Sequence, residues 1–280
     1  TAGVSAQLKS AVILAGLNSF GTTEINEIKA SRDHTEKMLQ KNSHAIKIIR
    51  SPKKIIKIFG KKNLNSTKIA IPGDPSSASF FTALTILNKN SRLLIKKVGL
   101  NPTRIGFYEL LKKHGAKIKF INKRKLGNEI IGDIEVKSGK LKKPILASKE
   151  FYERTTDEFP ILFCISALTA GISIFKGIED LANKESNRIT EMQKVLKQAG
   201  VKSIAKKNEM KIFGKKHLNN KNKKIFVPNL GDHRICMSST VLSLVTGIKT
   251  KIKNFETVKT SSPNFLKLIN DLGAKFEIKK

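Results

Sequence analysis

Gly73-Asp74-Pro75-Ser76-Ser77 opens the run that decides the fold. An apolar segment over 80–87 follows, then an alternating segment over 93–98, then Asn101-Pro102-Thr103-Arg104 ahead of a second helical pattern that stops at Gly115. A small polar or acidic cluster before an apolar segment marks a helix start, period-two alternation marks a strand, and a glycine after the last periodic residue marks a helix stop. The run therefore predicts helix, strand, helix and, past the glycine, a further strand.

Outward from that copy the same order recurs three times. Ser5-Ala6-Gln7 precedes a helix over 8–14, a strand over 22–28 and a helix over 33–39. Asp157 precedes an apolar helix, a strand over 172–175 and a helix over 186–199 before Gly200. Asp232 precedes a helix, a strand over 250–252 and a helix over 263–272 before Gly273. A period of about 70 to 85 residues is too long for a solenoid and fits a βαβα module with added hairpin strands. The predicted class is α/β (α+β). If the modules pack alike, their first helices converge at the N-termini, whose dipoles favour anions at the centre. Ser5, Ser76, Ser77, Asp157 and Asp232 stand at those starts. Ser and Asp are also preferred as ordinary N-caps, so both readings of Ser76 and Ser77 stay open.

The 280 residues carry 54 Lys+Arg against 22 Asp+Glu, a formal charge of +32. Such an excess points first to nucleic acid. It is nearly all Lys, however, spread along the chain, and no aromatic is interleaved with Lys123-Arg124-Lys125 or Lys206-Lys207 as a stacking platform requires. A residue-usage bias accounts for it better, and only salt-sensitive adventitious binding is expected. There is no run of about eighteen apolar residues and no charged-then-apolar leader, so the sequence predicts a cytoplasmic protein without a membrane partner. Cys164 and Cys236 lie in apolar helical patterns, which predicts buried free thiols, and the absence of zinc spacing predicts no metal.

One charged cluster stands apart. Lys184-Glu185-Ser186-Asn187-Arg188, Gly231-Asp232-His233-Arg234 and Asp157 together supply cations at Lys184, Arg188 and Arg234 and carboxylates at Asp157 and Glu185. Lys184 and Arg188, four apart at an expected helix start, are spaced to point to one side beside free backbone N–H groups. That pattern suits a small, multiply charged anion. A carboxylate beside a phosphate repels it, so acids in such a pocket point to proton transfer.

These blocks, read with Ser5-Ala6-Gln7-Leu8-Lys9-Ser10-Ala11, Ser31-Arg32-Asp33-His34-Thr35-Glu36-Lys37-Met38-Leu39, Pro72-Gly73-Asp74-Pro75-Ser76-Ser77-Ala78, Asn101-Pro102-Thr103-Arg104 and Asp157-Glu158-Phe159-Pro160, resemble the 5-enolpyruvylshikimate-3-phosphate synthase (3-phosphoshikimate 1-carboxyvinyltransferase) family. The likeness runs in unbroken order along the chain. It implies the enolpyruvyl transferase fold, two lobes of three βαβαββ units each, with residues 1–70 the last unit of the shikimate-phosphate-side lobe and 71–280 three units of the other. It also implies transfer of the enolpyruvyl group of phosphoenolpyruvate to the 5-hydroxyl of shikimate 3-phosphate, with no cofactor, in a protein that is monomeric at full length.

The resemblance carries roles to particular residues. Ser5, Ala6, Gln7 and Arg32, with Asp157 and Lys184, look like the groups that hold shikimate 3-phosphate. Lys184, Arg188 and Arg234 look like the clamp on phosphoenolpyruvate, joined by Lys259, which lies one position before the lysine that many relatives have. Asp157 resembles the acid that takes the proton of the attacking hydroxyl, Glu185 the one that moves a proton at the enol methylene carbon, and Lys184 is a further proton mover. His34 and His233 are expected to be structural, satisfied by local backbone or caps, Asp232 to cap its helix and orient Arg234, and Tyr108 and Tyr152 to pack.

The sequence departs from the family at its start. Relatives begin with a longer segment holding a Lys-Ser pair, an Arg and a Gly-Asn-Ala-Gly-Thr block that complete both substrate sites, so the resemblance implies that these 280 residues are a fragment with negligible turnover alone. Two alternatives compete with it: the sister enzyme acting on UDP-N-acetylglucosamine, which lacks the Ser-Arg-Asp-His-Thr-Glu and Pro-Gly-Asp-Pro-Ser-Ser blocks, and a basic nucleic-acid-binding module.

Overall fold

Four successive segments repeat one topology in the computed structural model, which describes residues 5–42, 44–50, 54–66, 68–139 and 141–278. The first holds α1 (Ala6–Asn18), β1 (Thr22–Glu27), α2 (His34–Asn42), β2 (Ile46–Ile49) and β3 (Lys54–Phe59), with antiparallel strand order β1-β3-β2. The second opens on a single parallel bridge from Gly73 to Val98. It continues with α3 (Pro75–Leu87), β4 (Arg92–Gly99), α4 (Gly106–Lys113), β5 (Lys117–Leu126) and β6 (Glu129–Lys137), in order β4-β6-β5.

The third segment runs β7 (Leu146–Ala147), the short α5 (Tyr152–Thr155), a 3-10 turn over Thr156–Glu158, α6 (Phe159–Ala167), β8 (Gly171–Lys176), α7 (Arg188–Gln198), β9 (Ser203–Lys206) and β10 (Glu209–Gly214). Its order is β7-β8-β10-β9, with β7 parallel to β8 and the rest antiparallel. The fourth has β11 (Lys224–Val227), α8 (His233–Thr246), β12 (Lys249–Ile252) and α9 (Phe265–Asp271), with β11 parallel to β12. A helix crossover between the first two strands of a unit makes them parallel, and a tight hairpin makes the last two antiparallel. The third segment thus shows the whole βαβαββ frame of which the others are versions. The class predicted from the repeat, α/β (α+β), is the class observed.

α6 is apolar all round and every residue of it is buried, as a helix without a solvent face must be. It packs against α3 and α8, which also touch each other. Around this trio one apolar cluster extends from Ala78 to Ile269, while Ile13, Ile25, Leu39, Ile46, Ile56 and Ile58 of the first segment form a separate one. Each such fully buried side chain contributes about 1.5–3 kcal/mol. α8 stops at Gly247, whose φ of 70° is the left-handed geometry that lets its N–H return to Ser243.

Several boundaries differ from the sequence reading, each for a local reason. Ser5 accepts from Leu8 N at 3.3 Å, so α1 starts two residues earlier than the apolar pattern suggests. Asn101 Oδ1 accepts from Thr103 N and Oγ1 at 2.9 and 2.8 Å, a side-chain turn that delays α4 to Gly106. Asn187 caps α7 by accepting from Thr190 N, so the helix begins at Arg188 and not at Ser186. The strand expected after Gly273 is not formed over 274–278.

Candidate active site

Three segments place their helix starts around one carboxylate. Asp157 sits in the 3-10 turn just before α6, and its Oδ2 accepts from Arg32 Nη2 of the first segment at 2.6 Å and lies 3.4 Å from Arg234 Nη2 on α8. Its Oδ1 is 3.9 Å from Arg188 Nη1 at the first position of α7. Burial raises the Asp157 pKa, but the charges of Arg234 and Arg32 outweigh it and hold the carboxyl well below the usual carboxylate range.

Asp232 fixes the other side. Its Oδ1 accepts from Arg234 N and Ile235 N at 2.9 and 3.3 Å, capping α8, while its Oδ2 accepts from Ser186 Oγ at 2.9 Å and from Arg188 Nε at 3.0 Å. Arg188 Nη2 also donates to Glu185 Oε2 at 2.5 Å. Glu185 and Asp157 therefore face different nitrogens of one guanidinium. Arg188 is 1 % exposed and Arg234 is 8 % exposed, yet Nη1 of each has no hydrogen-bond partner among the described residues. Buried guanidinium donors without partners are costly, and a bound anion would satisfy both.

The remaining predicted residues fall at different distances from this cluster. Ser5 and Ala6 are half-buried at the start of α1 and Gln7 is exposed there. Lys184 does not share a helix face with Arg188, because it precedes α7 in extended backbone and pairs with Asp180 at 2.7 Å. Lys259 pairs with Glu256 at 2.5 Å on an exposed turn, and its contacts do not bring it to the cluster. His34 is not satisfied locally as expected: its Nδ1 meets Glu129 Oε1 of β6 at 2.6 Å, and Asn101 bridges Glu129 to Asp33 at 3.0 and 2.7 Å. Asp232 caps its helix as predicted, but the side chain it orients is that of Arg188. Tyr108 is fully buried with its hydroxyl on Pro75 O, and Tyr152 stacks on Phe159 while donating to Asp180.

Sequence reasoning gave no role to Arg104 or Glu158. Arg104 Nη2 donates to Asp74 Oδ1 at 2.6 Å and to Ser76 Oγ at 2.9 Å. Glu158 is 2 % exposed, and burial together with the neighbouring Asp157 charge pushes its carboxyl well above the usual carboxylate range. The signal was present: an acid standing directly before the apolar Phe159-Pro160-Ile161-Leu162 run has nowhere to go but inside. Among the described residues no group of three or more His, Cys, Asp or Glu is arranged to hold a metal ion, and no helix is long and apolar enough to cross a membrane.

An α/β chain of repeated βαβαββ units that gathers Arg32, Arg188 and Arg234 around one carboxylate has the fold of the enolpyruvyl transferases. EPSP synthase from Acinetobacter baumannii superposes with a TM-score of 0.85 at 35% identity, over 99% of this chain and 62% of that one. The enolpyruvyl transferase NikO from Streptomyces tendae shares the fold at a TM-score of 0.70 and 14% identity. The family model described as EPSP synthase (3-phosphoshikimate 1-carboxyvinyltransferase) matches residues 1–269, and the chain belongs to that family. The 3-phosphoshikimate 1-carboxyvinyltransferase of Zymomonas mobilis is 39% identical over 98% of the chain, and that of Bacillus subtilis 35% over 97%. The chain spans 61% and 62% of those two relatives.

Proposed function

We propose that this chain carries the larger part of a 3-phosphoshikimate 1-carboxyvinyltransferase, moving the enolpyruvyl group of phosphoenolpyruvate to the 5-hydroxyl of shikimate 3-phosphate. The observation that carries the reading is the pair of buried Nη1 atoms of Arg188 and Arg234, without a hydrogen-bond partner among the described residues, beside the carboxylate of Asp157. Each charge-assisted hydrogen bond to a phosphate or carboxylate returns about 1.5–3 kcal/mol, which offsets the repulsion between two anionic substrates.

In the reaction the 5-hydroxyl oxygen bonds to C2 of phosphoenolpyruvate as Asp157 takes its proton, and C3 of the enol gains a proton. Loss of a C3 proton then restores the double bond while phosphate leaves C2. Glu185 is assigned the proton at C3, and Arg188, held by Asp232, keeps the two acids apart. Arg32, Ser5, Ala6 and Gln7 would hold shikimate 3-phosphate, so Arg32 must exchange Asp157 for the substrate. Lys184 joins the substrates only by leaving Asp180, and Lys259 only by leaving its turn. Residues 1–70 are read as the last unit of one lobe and 71–280 as three units of the other, in a cytoplasmic, monomeric full-length protein; the separate apolar cluster of the first segment supports that division.

Phosphate release from phosphoenolpyruvate, strictly dependent on shikimate 3-phosphate, is the test on the full-length protein. Turnover with UDP-N-acetylglucosamine in its place would overturn the assignment.

A further inference from the structure

Residues 28–33, outside any helix or strand, carry Arg32 from the end of β1 to the start of α2. The loop is held by Glu27, the last residue of β1, whose Oε1 accepts from Ser31 N at 2.9 Å and from Ser31 Oγ at 2.7 Å. The same oxygen accepts from Lys9 Nζ of α1 at 2.8 Å. Lys9 lies one turn beyond Ser5, to whose carbonyl its N–H donates at 3.1 Å, and its ammonium also pairs with Glu36 of α2 at 2.7 Å. Lys54 of β3 pairs with both acids. The hydroxyls of Ser10 and Thr35, 2.7 Å apart, join α1 to α2 a second time. Glu27 is thus bonded to both elements assigned to shikimate 3-phosphate, α1 and the Arg32 loop. On the far side of Arg32, Asp33 Oδ1 accepts from Asn101 Nδ2 of the second segment at 2.7 Å.

We propose that Glu27 is a positioning residue for shikimate 3-phosphate: through Ser31 it fixes the backbone of Arg32, and through Lys9 it sets α1 against that loop. The inference rests on the transferase reading and deepens it. The side chains of Lys9, Glu27 and Glu36 are all at most 6 % exposed. Desolvation of buried charges offsets much of their attraction, and an apolar cluster of the same volume would hold the segment as well. What the charges add is direction, because each hydrogen bond fixes an angle as well as a distance. Arg32 must turn from Asp157 to the substrate, and with Ser31 held only its side chain has to be ordered on binding. A loop without that hold would be ordered by the ligand, at the expense of affinity.

Glu27→Gln strands Lys9 in the core, so Ser31→Ala, which leaves the ion pairs in place, is the variant to measure in the full-length protein. Its urea midpoint is expected close to that of the wild type. The KM and the calorimetric Kd for shikimate 3-phosphate should rise roughly three- to tenfold, as loss of one hydrogen bond to a charged group allows. The KM for phosphoenolpyruvate and kcat should change little, and amide exchange over 31–33 should quicken. Unchanged affinity for shikimate 3-phosphate, or an equal loss for both substrates, overturns the proposal. A wild-type protein that binds no shikimate 3-phosphate overturns the transferase reading instead, and faster exchange over 31–33 in Ser31→Ala then still upholds the anchoring of the loop by Glu27.

Discussion

Asp232 grips Arg188 with both carboxylate oxygens, Oδ2 3.0 Å from Nε and Oδ1 3.4 Å from Nη2, while Oδ1 also caps α8 through Arg234 N at 2.9 Å. One buried acid thus ties the Arg188 side chain of α7 to the start of α8. Replacing Asp232 by Ala leaves Arg188 buried and uncompensated as well as α8 uncapped. The expected cost is about 3–5 kcal/mol, read as a lower urea midpoint with an unchanged slope. Asp232→Asn should cost less, because it preserves the cap.

Acid should loosen the first segment before the rest. Lys9 and Lys54 bridge Glu27 and Glu36 inside it, with Lys9 2.8 and 2.7 Å from the two acids. Burial raises the Glu27 pKa, but hydrogen bonds from Lys54, Lys9 and Ser31 pull it down from 4.5 to about 2. A depressed folded pKa means the unfolded chain binds more protons in that window. The stabilisation is therefore full above about pH 4.5 and lost as pH falls towards 2. Hydrogen exchange of β1 and β3 at pH 3 against pH 6 checks this, and a Lys54→Met variant should show a smaller difference.

For the proposed chemistry, Asp157→Asn and Glu185→Gln in the full-length protein should each lower kcat by ~10²–10⁴-fold. Binding of phosphoenolpyruvate should hold or tighten in Asp157→Asn, since Arg234 and Arg188 lose a competing charge. Steady-state kinetics paired with calorimetry separate the two effects. A variant with full kcat removes that acid from the mechanism.

Arg32→Ala tests the contact between the first and third segments. It should weaken shikimate 3-phosphate by roughly 10–100-fold, the equivalent of one or two charge-assisted bonds, with far less effect on phosphoenolpyruvate alone. Equal loss for both ligands would contradict the separate assignment of the two clamps.

Cys164 and Cys236 are both buried and free, and burial raises both thiols, that of Cys236 to about 12. Neither should react with a thiol reagent at pH 8 until the chain unfolds, so two equivalents released only in denaturant is the expected titration.

The repeat was legible in the chain because each unit writes its own punctuation: a polar start, an apolar helix, an alternating strand, a glycine stop. Asp232 caps its helix where that punctuation put it, whereas α3 is capped by Asp74 and holds Ser76 and Ser77 inside its first turn; Arg188, Arg234 and Asp157 lie within one cluster as the charged motifs suggested. Lys184 shows where spacing alone fails. Asn187 captures the helix start, so four residues of separation no longer mean one face, and Asp180 takes the ammonium.

Local chemistry, which acts over a few residues, therefore determined the units, their class and the residue types gathered for an anion. Tertiary structure alone decided which partners those side chains keep: Arg32 with Asp157 across 125 positions, His34 with Glu129, and Glu158 buried beside Asp157. The reason is physical. Charge pairing and desolvation depend on distance in space, and four similar units can be stacked in more than one way until their buried helices α3, α6 and α8 meet.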